Sequence, residues 1–463
     1  MENNEGMKTL IHFVAILGFC GAVMAQHDPE VREKLEAWQD LKFGLLMHWG
    51  PYSQWGVVES WSICSEDWIT RRDDDYEEYK RNYRALKKTF NPVKFDPLHW
   101  AEAAKTAGMK YVVFTTKHHD GFCMFDSKLT DYKITSPECP FDRDVTKEIF
   151  DAFRAKGFWT GIYFSKPDWS CEYYWWPYYA TPDRHVNYDP AKHPERWNKF
   201  RDFTYGQIEE LMTGYGPVDI LWLDGAWVRP IDNMPEEFES WAKKNDWNQD
   251  IDMARIAKMA RRHQPGLIVV DRWVSGPYED YDTPEQRVPE KPIDHPWESC
   301  ITMADGWSYN AGHKYKPVRR LIHMLVEIVA KGGNFLLNIG PSPEGQWAPE
   351  AYDRLEGIGK WMAVNGEAIY GTRAMKPCRE GRCFFTRRED GTWFAVYLAG
   401  EDEGEPPAHI RLQHGEPPAE VTLLGFEGTL SWRTRDEYLE IEIPRGAIEH
   451  PPCRHAWAFR ISP

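Results

Sequence analysis

The segment Asp219-Ile-Leu-Trp-Leu-Asp224-Gly225 is a short apolar run that ends in a carboxylate and a glycine. A buried strand reads this way. A carboxylate at the C-terminal end of such a strand leaves the core and points into whatever lies above a parallel sheet or barrel. That placement suits a nucleophile; the plain alternative is a cap on the next helix or turn. Arg272 follows a similar run, Leu267 to Asp271. If the two strands are neighbours, its guanidinium keeps Asp224 ionised, as a nucleophile requires. The alternative for Arg272 is a structural salt bridge. Cleaving a glycosidic bond needs a second carboxyl group to protonate the leaving oxygen, about 5 Å away if configuration is retained. Glu285, in the polar loop Tyr281-Asp-Thr-Pro-Glu285, suits a proton donor that is buried when substrate binds. Glu298, in Pro296-Trp-Glu298-Ser at the start of an apolar run, suits a fixed orienting role and is the second candidate. For either, the plain reading is an exposed carboxylate.

Other apolar runs also end in polar side chains. The first gives Met47-His48-Trp49-Gly50, the second Lys117-His118-His119-Asp120-Gly121-Phe122, and the third Ile162-Tyr163-Phe164-Ser165. Polar groups gather at strand ends where they converge on a ligand. His48 with one of His118 and His119 and with Asp224 would make a hydrolytic zinc site. No HxH or HExxH pattern accompanies them, and adjacent residues on a strand face opposite ways, which disfavours that reading. Neutral histidines donating hydrogen bonds to hydroxyls fit better, with a core role as the alternative for His119.

The elements that must position these residues alternate. Strands are predicted at 43–49, 111–117, 159–165, 219–224, 267–273, 297–303 and 334–339. Helices are predicted at 98–106, 145–156, 195–213, 251–263, 318–330 and 348–365. Gly108, Gly157, Gly214 and Gly366 follow helix-like runs, where a left-handed cap is expected. Strands alternating with helices imply a parallel sheet and a (β/α)₈-like barrel. A doubly wound open sheet is the alternative, but no Gly-rich loop follows the first strand. After Gly371 helical periodicity stops and short alternating runs follow, as in a small antiparallel β-sandwich. The expected boundary lies between Tyr370 and Pro377, giving a catalytic unit at 26–370 and a sandwich at 371–463.

A formal charge of −16 argues against nucleic acid or anionic lipid as the main partner. Many of the 23 Trp, 22 Tyr and 22 Phe belong to the core, but indole faces also stack on the C–H faces of sugars, which tilts the ligand toward carbohydrate. Met7-Lys8, the apolar stretch Leu10 to Met24 and the small residues before Gln26 predict a signal peptide cleaved near Ala25, and hence a periplasmic or secreted protein. An anchor helix is the alternative. Eight cysteines would remain, without zinc spacing, and read as buried thiols rather than a disulfide framework.

Six motifs taken in order resemble glycoside hydrolase family 29, the α-L-fucosidases. They are Phe43-Gly-Leu-Leu-Met-His48-Trp-Gly50, Lys117-His-His-Asp-Gly-Phe122, Leu221-Trp-Leu-Asp224-Gly, Val270-Asp-Arg272, Pro296-Trp-Glu298 and Asn334-Phe-Leu-Leu-Asn338-Ile-Gly-Pro341. The resemblance implies a barrel followed by a β-sandwich. It also implies exo-acting hydrolysis with retention through a covalent glycosyl-enzyme, a fucosylated glycan substrate, and no metal or organic cofactor. It makes Asp224 the nucleophile. His48, His118, His119, Tyr163 and Arg272 become sugar-site residues. Glu59 and Trp61 match a Glu-Trp pair that holds hydroxyls; Glu66 with Trp68 competes for that role. Glu285 is favoured as acid/base over Glu298, and Trp222, Trp227 or Phe122 is expected to cover the sugar methyl group. The same scaffold would serve an α-L-galactosidase or an inactive sugar-binding protein.

Overall fold

The computed structural model describes residues 28–463 except 67, 70, 72–74, 182, 234–246 and 414–416. The predicted signal peptide, residues 1–25, lies outside the described residues. Seven apolar runs form strands β1 (Phe43–Met47), β2 (Tyr111–Lys117), β3 (Trp159–Ser165), β4 (Ile220–Asp224), β5 (Ile268–Asp271), β6 (Glu298–Thr302) and β7 (Asn334–Ile339). They pair in parallel in the order β5-β4-β3-β2-β1-β7-β6. Nearly every residue in them is buried, because both faces of a parallel sheet are covered. The predicted (β/α)₈-like architecture is therefore a curled seven-stranded sheet.

The covering helices are α1 (Pro29–Leu41), α2 (Tyr76–Ala85), α3 (Pro97–Thr106), α4 (Val145–Ala155), α5 (Pro194–Gly214), α6 (Met253–His263), α7 (Val318–Ala330) and α8 (Pro349–Asn365). Asp28, Asp75, Asp96, Asp144 and Asp252 cap α1, α2, α3, α4 and α6, each accepting a backbone N–H from the first turn. Helices α1 and α2 were not anticipated. The second buries only Tyr79, Lys80 and Tyr83, too little apolar periodicity to read.

Alternate strand residues point inward. Leu46, Tyr111, Val113, Tyr163, Ile220, Trp222, Ile268, Val270, Cys300 and Leu336 form one cluster, joined by Leu35 and Trp38 of α1 and by Tyr281. Trp38 stacks on Tyr281 at 4.1 Å and accepts a hydrogen bond from Asn334, the first residue of β7, so α1 plugs the N-terminal end of the barrel. Strands β5 and β6 do not pair directly. The segment 278–286 fills the gap. Glu279 bridges antiparallel to Val270 of β5, and Asp282 and Glu285 bridge in parallel to Trp297 and to Cys300 of β6. The chain thus descends beside β5, turns at Tyr281 and rises beside β6, which carries Glu285 back up to the level of Cys300.

Beyond α8, strands β8 (Arg373–Glu380), β9 (Cys383–Arg387), β10 (Trp393–Leu398), β11 (His409–Gln413), β12 (Glu420–Leu423), β13 (Ser431–Arg435), β14 (Tyr438–Glu442) and β15 (Ala456–Ser462) form two antiparallel sheets, β12-β15-β10-β9-β8 and β11-β14-β13. One face of the larger sheet packs on the smaller through Phe385, Trp457, Phe459, Leu412 and Ile441. Its other face, with Phe384, Phe394, Val396 and Ala458, merges with the core around the barrel. The eight described cysteines are all free thiols.

Candidate active site

A cavity of about 360 Å³ opens at the C-terminal ends of the strands. Its lining includes Leu46, His48, Glu59, Trp61, His118, His119, Tyr163, Trp222, Asp224, Trp227, Arg272 and Glu285. Strand parity explains much of this. Trp222 and Asp224 share the inward face of β4, and His48 extends the inward series from Leu46.

Asp224 is the best-tethered group. Its Oδ1 accepts from Arg272 Nη1 at 2.9 Å and from its neighbour's backbone, Gly225 N, at 2.8 Å. Its Oδ2 accepts from the Tyr163 hydroxyl at 2.6 Å and lies 3.8 Å from His119 Nε2. Gly225 sits at φ 95°, and a Cβ there would meet Pro167 Cδ at 2.3 Å, so only glycine lets the chain leave β4 this way. Burial alone would raise the Asp224 carboxyl. The charge of Arg272, aided by the Tyr163 hydroxyl, outweighs it and holds the group well below the usual carboxylate range. Arg272 is itself wedged between the faces of Trp222 and Trp273, at 5.0 and 4.4 Å. Its second terminal nitrogen, Nη2, donates to Glu285. One guanidinium therefore contacts both carboxylates.

The histidines are neutral. Burial pushes His48 down to about 4 against a hydrogen bond to Asn338, pushes His119 down to about 3, and takes His118 well below its ordinary value. Nδ1 of His48 pairs with Asn338 Oδ1 at 2.8 Å, Nδ1 of His118 with Ser60 Oγ at 2.5 Å, and Nδ1 of His119 with Ser165 Oγ at 2.8 Å. In each ring Nε2 is then the atom left to meet a ligand. His118 and His119 do not face opposite ways as expected. Strand β2 carries a register shift between Thr115 and Lys117 and ends there, so both rings, 4.2 Å apart, line the cavity. Among the described residues, His118, His119 and Asp224 have ligand atoms within 4.8 Å of one another, the spacing a metal ion would need. The Arg272 cation lies against the other oxygen of that carboxylate, Oδ1, and the Tyr163 hydroxyl donates to Oδ2.

Glu59 and Trp61, not Glu66 and Trp68, are the pair that reaches the cavity. Glu59 accepts from Ser308 N at 2.8 Å, and burial pushes it up to about 7. Its φ of 35° is strained for a non-glycine residue and is fixed by these contacts. Glu66 instead accepts from Arg184 Nε at 2.7 Å, and Trp68 is exposed and meets the Trp61 ring at 5.3 Å.

Two expectations are corrected. Glu298 does not reach the cavity. It is the first residue of β6, two positions below Cys300, and a strand rise of about 3.3 Å per residue sets it some 6–7 Å lower. Its carboxyl is fully buried and accepts from the Tyr111 hydroxyl at 2.5 Å and the Tyr281 hydroxyl at 3.2 Å. Phe122 packs on Phe90 and Tyr132 in the core and covers no part of the cavity; Trp222 and Trp227 do. Arg184 and Trp307 were not anticipated. Arg184 comes from the long loop after β3 and lies over Trp61 and Trp227 at 4.7 and 5.3 Å. Trp307 comes from the loop after β6 and leans on His48 at 5.0 Å. Neither loop carries a periodic pattern that would reveal its reach.

Residues 22–367 match the family model described as alpha-L-fucosidase, and residues 380–462 match that of the alpha-L-fucosidase C-terminal domain. Isoenzyme 1 of Paenibacillus thiaminolyticus α-L-fucosidase is 31% identical, with a TM-score of 0.76 over 94% of this chain and 99% of that one. The Thermotoga maritima α-fucosidase in complex with fucose is 26% identical, with a TM-score of 0.70 over 92% and 98%. Human tissue alpha-L-fucosidase is 28% identical over 457 residues, 92% of this chain and 89% of that protein. With a carboxylate pair on one arginine at the mouth of a curled parallel sheet and both family models matched in order, the chain belongs to the α-L-fucosidases, glycoside hydrolase family 29.

Proposed function

We propose that the chain is an exo-acting, retaining α-L-fucosidase in which Asp224 is the nucleophile and Glu285 the acid/base. The observation that carries this reading is the guanidinium of Arg272 held between the two carboxylates inside an aromatic-lined cavity. His48, His118, His119, Glu59 and Trp61 bind the sugar hydroxyls, and Trp222 and Trp227 pack on the apolar side of the ring. In the first step an Asp224 oxygen bonds to the anomeric carbon while the glycosidic C–O bond breaks. Glu285 gives its proton to the leaving oxygen. In the second step Glu285 takes a proton from water, the water oxygen bonds to the anomeric carbon, and Asp224 is released with L-fucose of unchanged configuration. Glu285 must leave Arg272 to reach the glycosidic oxygen, and its place on a loop segment rather than within a strand allows that rotation.

The five indoles of the lining, Trp61, Trp222, Trp227, Trp273 and Trp307, favour a methyl group at C6 over the hydroxyl of L-galactose. Aryl α-L-fucoside is expected to be cleaved faster than aryl α-L-galactoside, with α-L-fucose as the first product seen by proton NMR and no loss of rate in chelator. A first product of inverted configuration, or inactivation by chelator, would overturn the reading. No described helix is long and apolar enough to cross a membrane. The basic, apolar, small-residue order of residues 7–25 supports export by a cleaved signal peptide to the periplasm or medium, which N-terminal sequencing of the exported protein tests.

A further inference from the structure

Glu298 is conspicuous once it is removed from the cavity. It is a fully buried carboxyl with no cation against it among the described residues, and each oxygen accepts from a tyrosine hydroxyl. One of these, Tyr111, opens β2 and is fixed in the barrel floor. The other, Tyr281, stands at the turning point of the segment 278–286, four residues before Glu285. Tyr281 has no exposure and stacks on Trp38 with ring planes 13° apart.

Other side chains anchor the two limbs of the segment: Asp280 accepts from Arg261 Nη2 at 2.9 Å and from Val269 N at 2.7 Å, Glu279 accepts from Trp273 N at 2.7 Å, Trp273 Nε1 donates to Thr283 O at 3.2 Å, and Gln286 pairs with Thr302. The descending limb of the segment is also held by Asp271 N to Tyr278 O at 2.8 Å and Asp280 N to Val269 O at 3.0 Å. Its rising limb is held by Glu298 N to Asp282 O at 2.8 Å, Cys300 N to Pro284 O at 3.2 Å and Gln286 N to Cys300 O at 3.0 Å. Glu298 thus grips the segment twice, by its backbone N–H at Asp282 and by its side chain at Tyr281. The Tyr281 hydroxyl contact is the side-chain hydrogen bond at the turning point between the two limbs. A shift of about 1 Å in a catalytic group can cost on the order of 10²-fold in rate.

We propose that Glu298 is a positioning residue: through the Tyr111–Glu298–Tyr281 bridge it sets the height of the segment that carries Glu285, and so the reach of the acid/base to the glycosidic oxygen. This inference rests on Glu285 being the acid/base. It explains why a carboxylate sits in the barrel floor, where its burial is costly and an apolar residue would otherwise be expected. Burial pushes the group up to about 7 while the hydroxyls of Tyr111 and Tyr281 and the Trp222 side chain oppose that rise, and a glutamine can keep the shape of the bridge by accepting from one hydroxyl and donating to the oxygen of the other.

The test compares two aryl α-L-fucosides, one with a good leaving group (2-chloro-4-nitrophenol) and one with a poor one (4-methoxyphenol), in Glu285→Ala, Glu298→Ala, Glu298→Gln, Tyr281→Phe and the double variant Glu285→Ala/Glu298→Ala. Glu298→Ala is expected to lose about 10- to 100-fold in kcat on the poor leaving group and under about 5-fold on the good one. Glu298→Gln should restore most of that loss. Tyr281→Phe keeps the ring on Trp38 and should show the same leaving-group bias in milder form, even if Glu298→Ala folds poorly. The double variant should be no worse than Glu285→Ala on the poor leaving group, because Glu298 acts through Glu285. Azide should accelerate Glu285→Ala and leave Glu298→Ala unchanged. Equal losses on both leaving groups, or losses that multiply in the double variant, would reduce Glu298 to a fold residue and overturn the proposal. Azide rescue of Glu298→Ala would overturn it by making Glu298 the acid itself. A Glu285→Ala variant without leaving-group bias or azide rescue would instead strike the assignment of Glu285, and the proposal with it.

Discussion

Three donors surround Asp224, from Arg272, Tyr163 and Gly225, and each stabilises the ionised form that attacks carbon. Asp224→Asn removes the nucleophile but can keep accepting from Arg272, so kcat is expected to fall by about 10³-fold or more with the melting temperature nearly unchanged. Steady-state assays and thermal melts check this. Arg272 has the larger structural reach. Arg272→Met leaves two buried or half-buried carboxylates without their cation, at a cost of about 3–5 kcal/mol. It also changes the pH profile. In the native protein Asp224 stays ionised far below neutral pH, so it does not set the acid limb of kcat/KM. Without the guanidinium, burial prevails and its carboxyl rises, so the acid limb should move to higher pH. An unmoved limb in a rate profile from pH 3 to 8 would contradict the role given to Arg272. At this scale the sequence was readable where strand parity acts: Asp224, Arg272 and His48 follow directly from their apolar runs. Arg184 and Trp307 were not readable, because long loops carry them in from outside the sheet. Glu298 misled for a related reason: it sits at the start of its strand, and in a parallel barrel that end is the floor.

Seven strands were legible as elements because parallel strands buried on both faces are nearly continuous in apolar residues. Strands β8 and β11 were not. Arg373–Glu380 is half exposed along its length, and His409–Gln413, though it alternates, is a five-residue run at a sheet edge with two apolar residues, too short to stand out from its surroundings. The antiparallel pairing that joins 278–280 to β5 was equally hidden in a loop rich in Pro, Glu and Asp. The floor element makes a thermodynamic prediction. Between pH 4.5 and about 7 folded Glu298 holds a proton that the unfolded chain has released. By linkage its contribution to stability must fall as pH rises through that window. Glu298→Gln cannot titrate. The melting temperature of the native protein minus that of Glu298→Gln should therefore drop between pH 5 and pH 8. A difference that is constant, or that grows, would mean Glu298 is already ionised in the folded state.

Viewed whole, the sandwich is part of the catalytic unit's core. Its larger sheet shares Phe384, Phe394 and Val396 with the cluster that wraps the barrel. Trp361 of α8 donates to Ala456 O at 2.9 Å, and His323 of α7 meets His455 O at 2.8 Å. The sequence divides the chain near residue 371; α8 ends at Asn365 and β8 opens at Arg373, and the texture of a sequence carries no record of shared packing. A fragment of residues 26–370 would expose the apolar side of α7, and it is expected to be insoluble or to melt well below the full chain, which should unfold in one transition. A stable, active fragment would contradict this. The central claim concerns one covalent bond. Incubation with 2-fluoro-α-L-fucosyl fluoride should raise the intact mass by a single 2-fluorofucosyl group, and peptide mapping should find it on Asp224; a label on any other carboxylate of an active preparation would contradict the account.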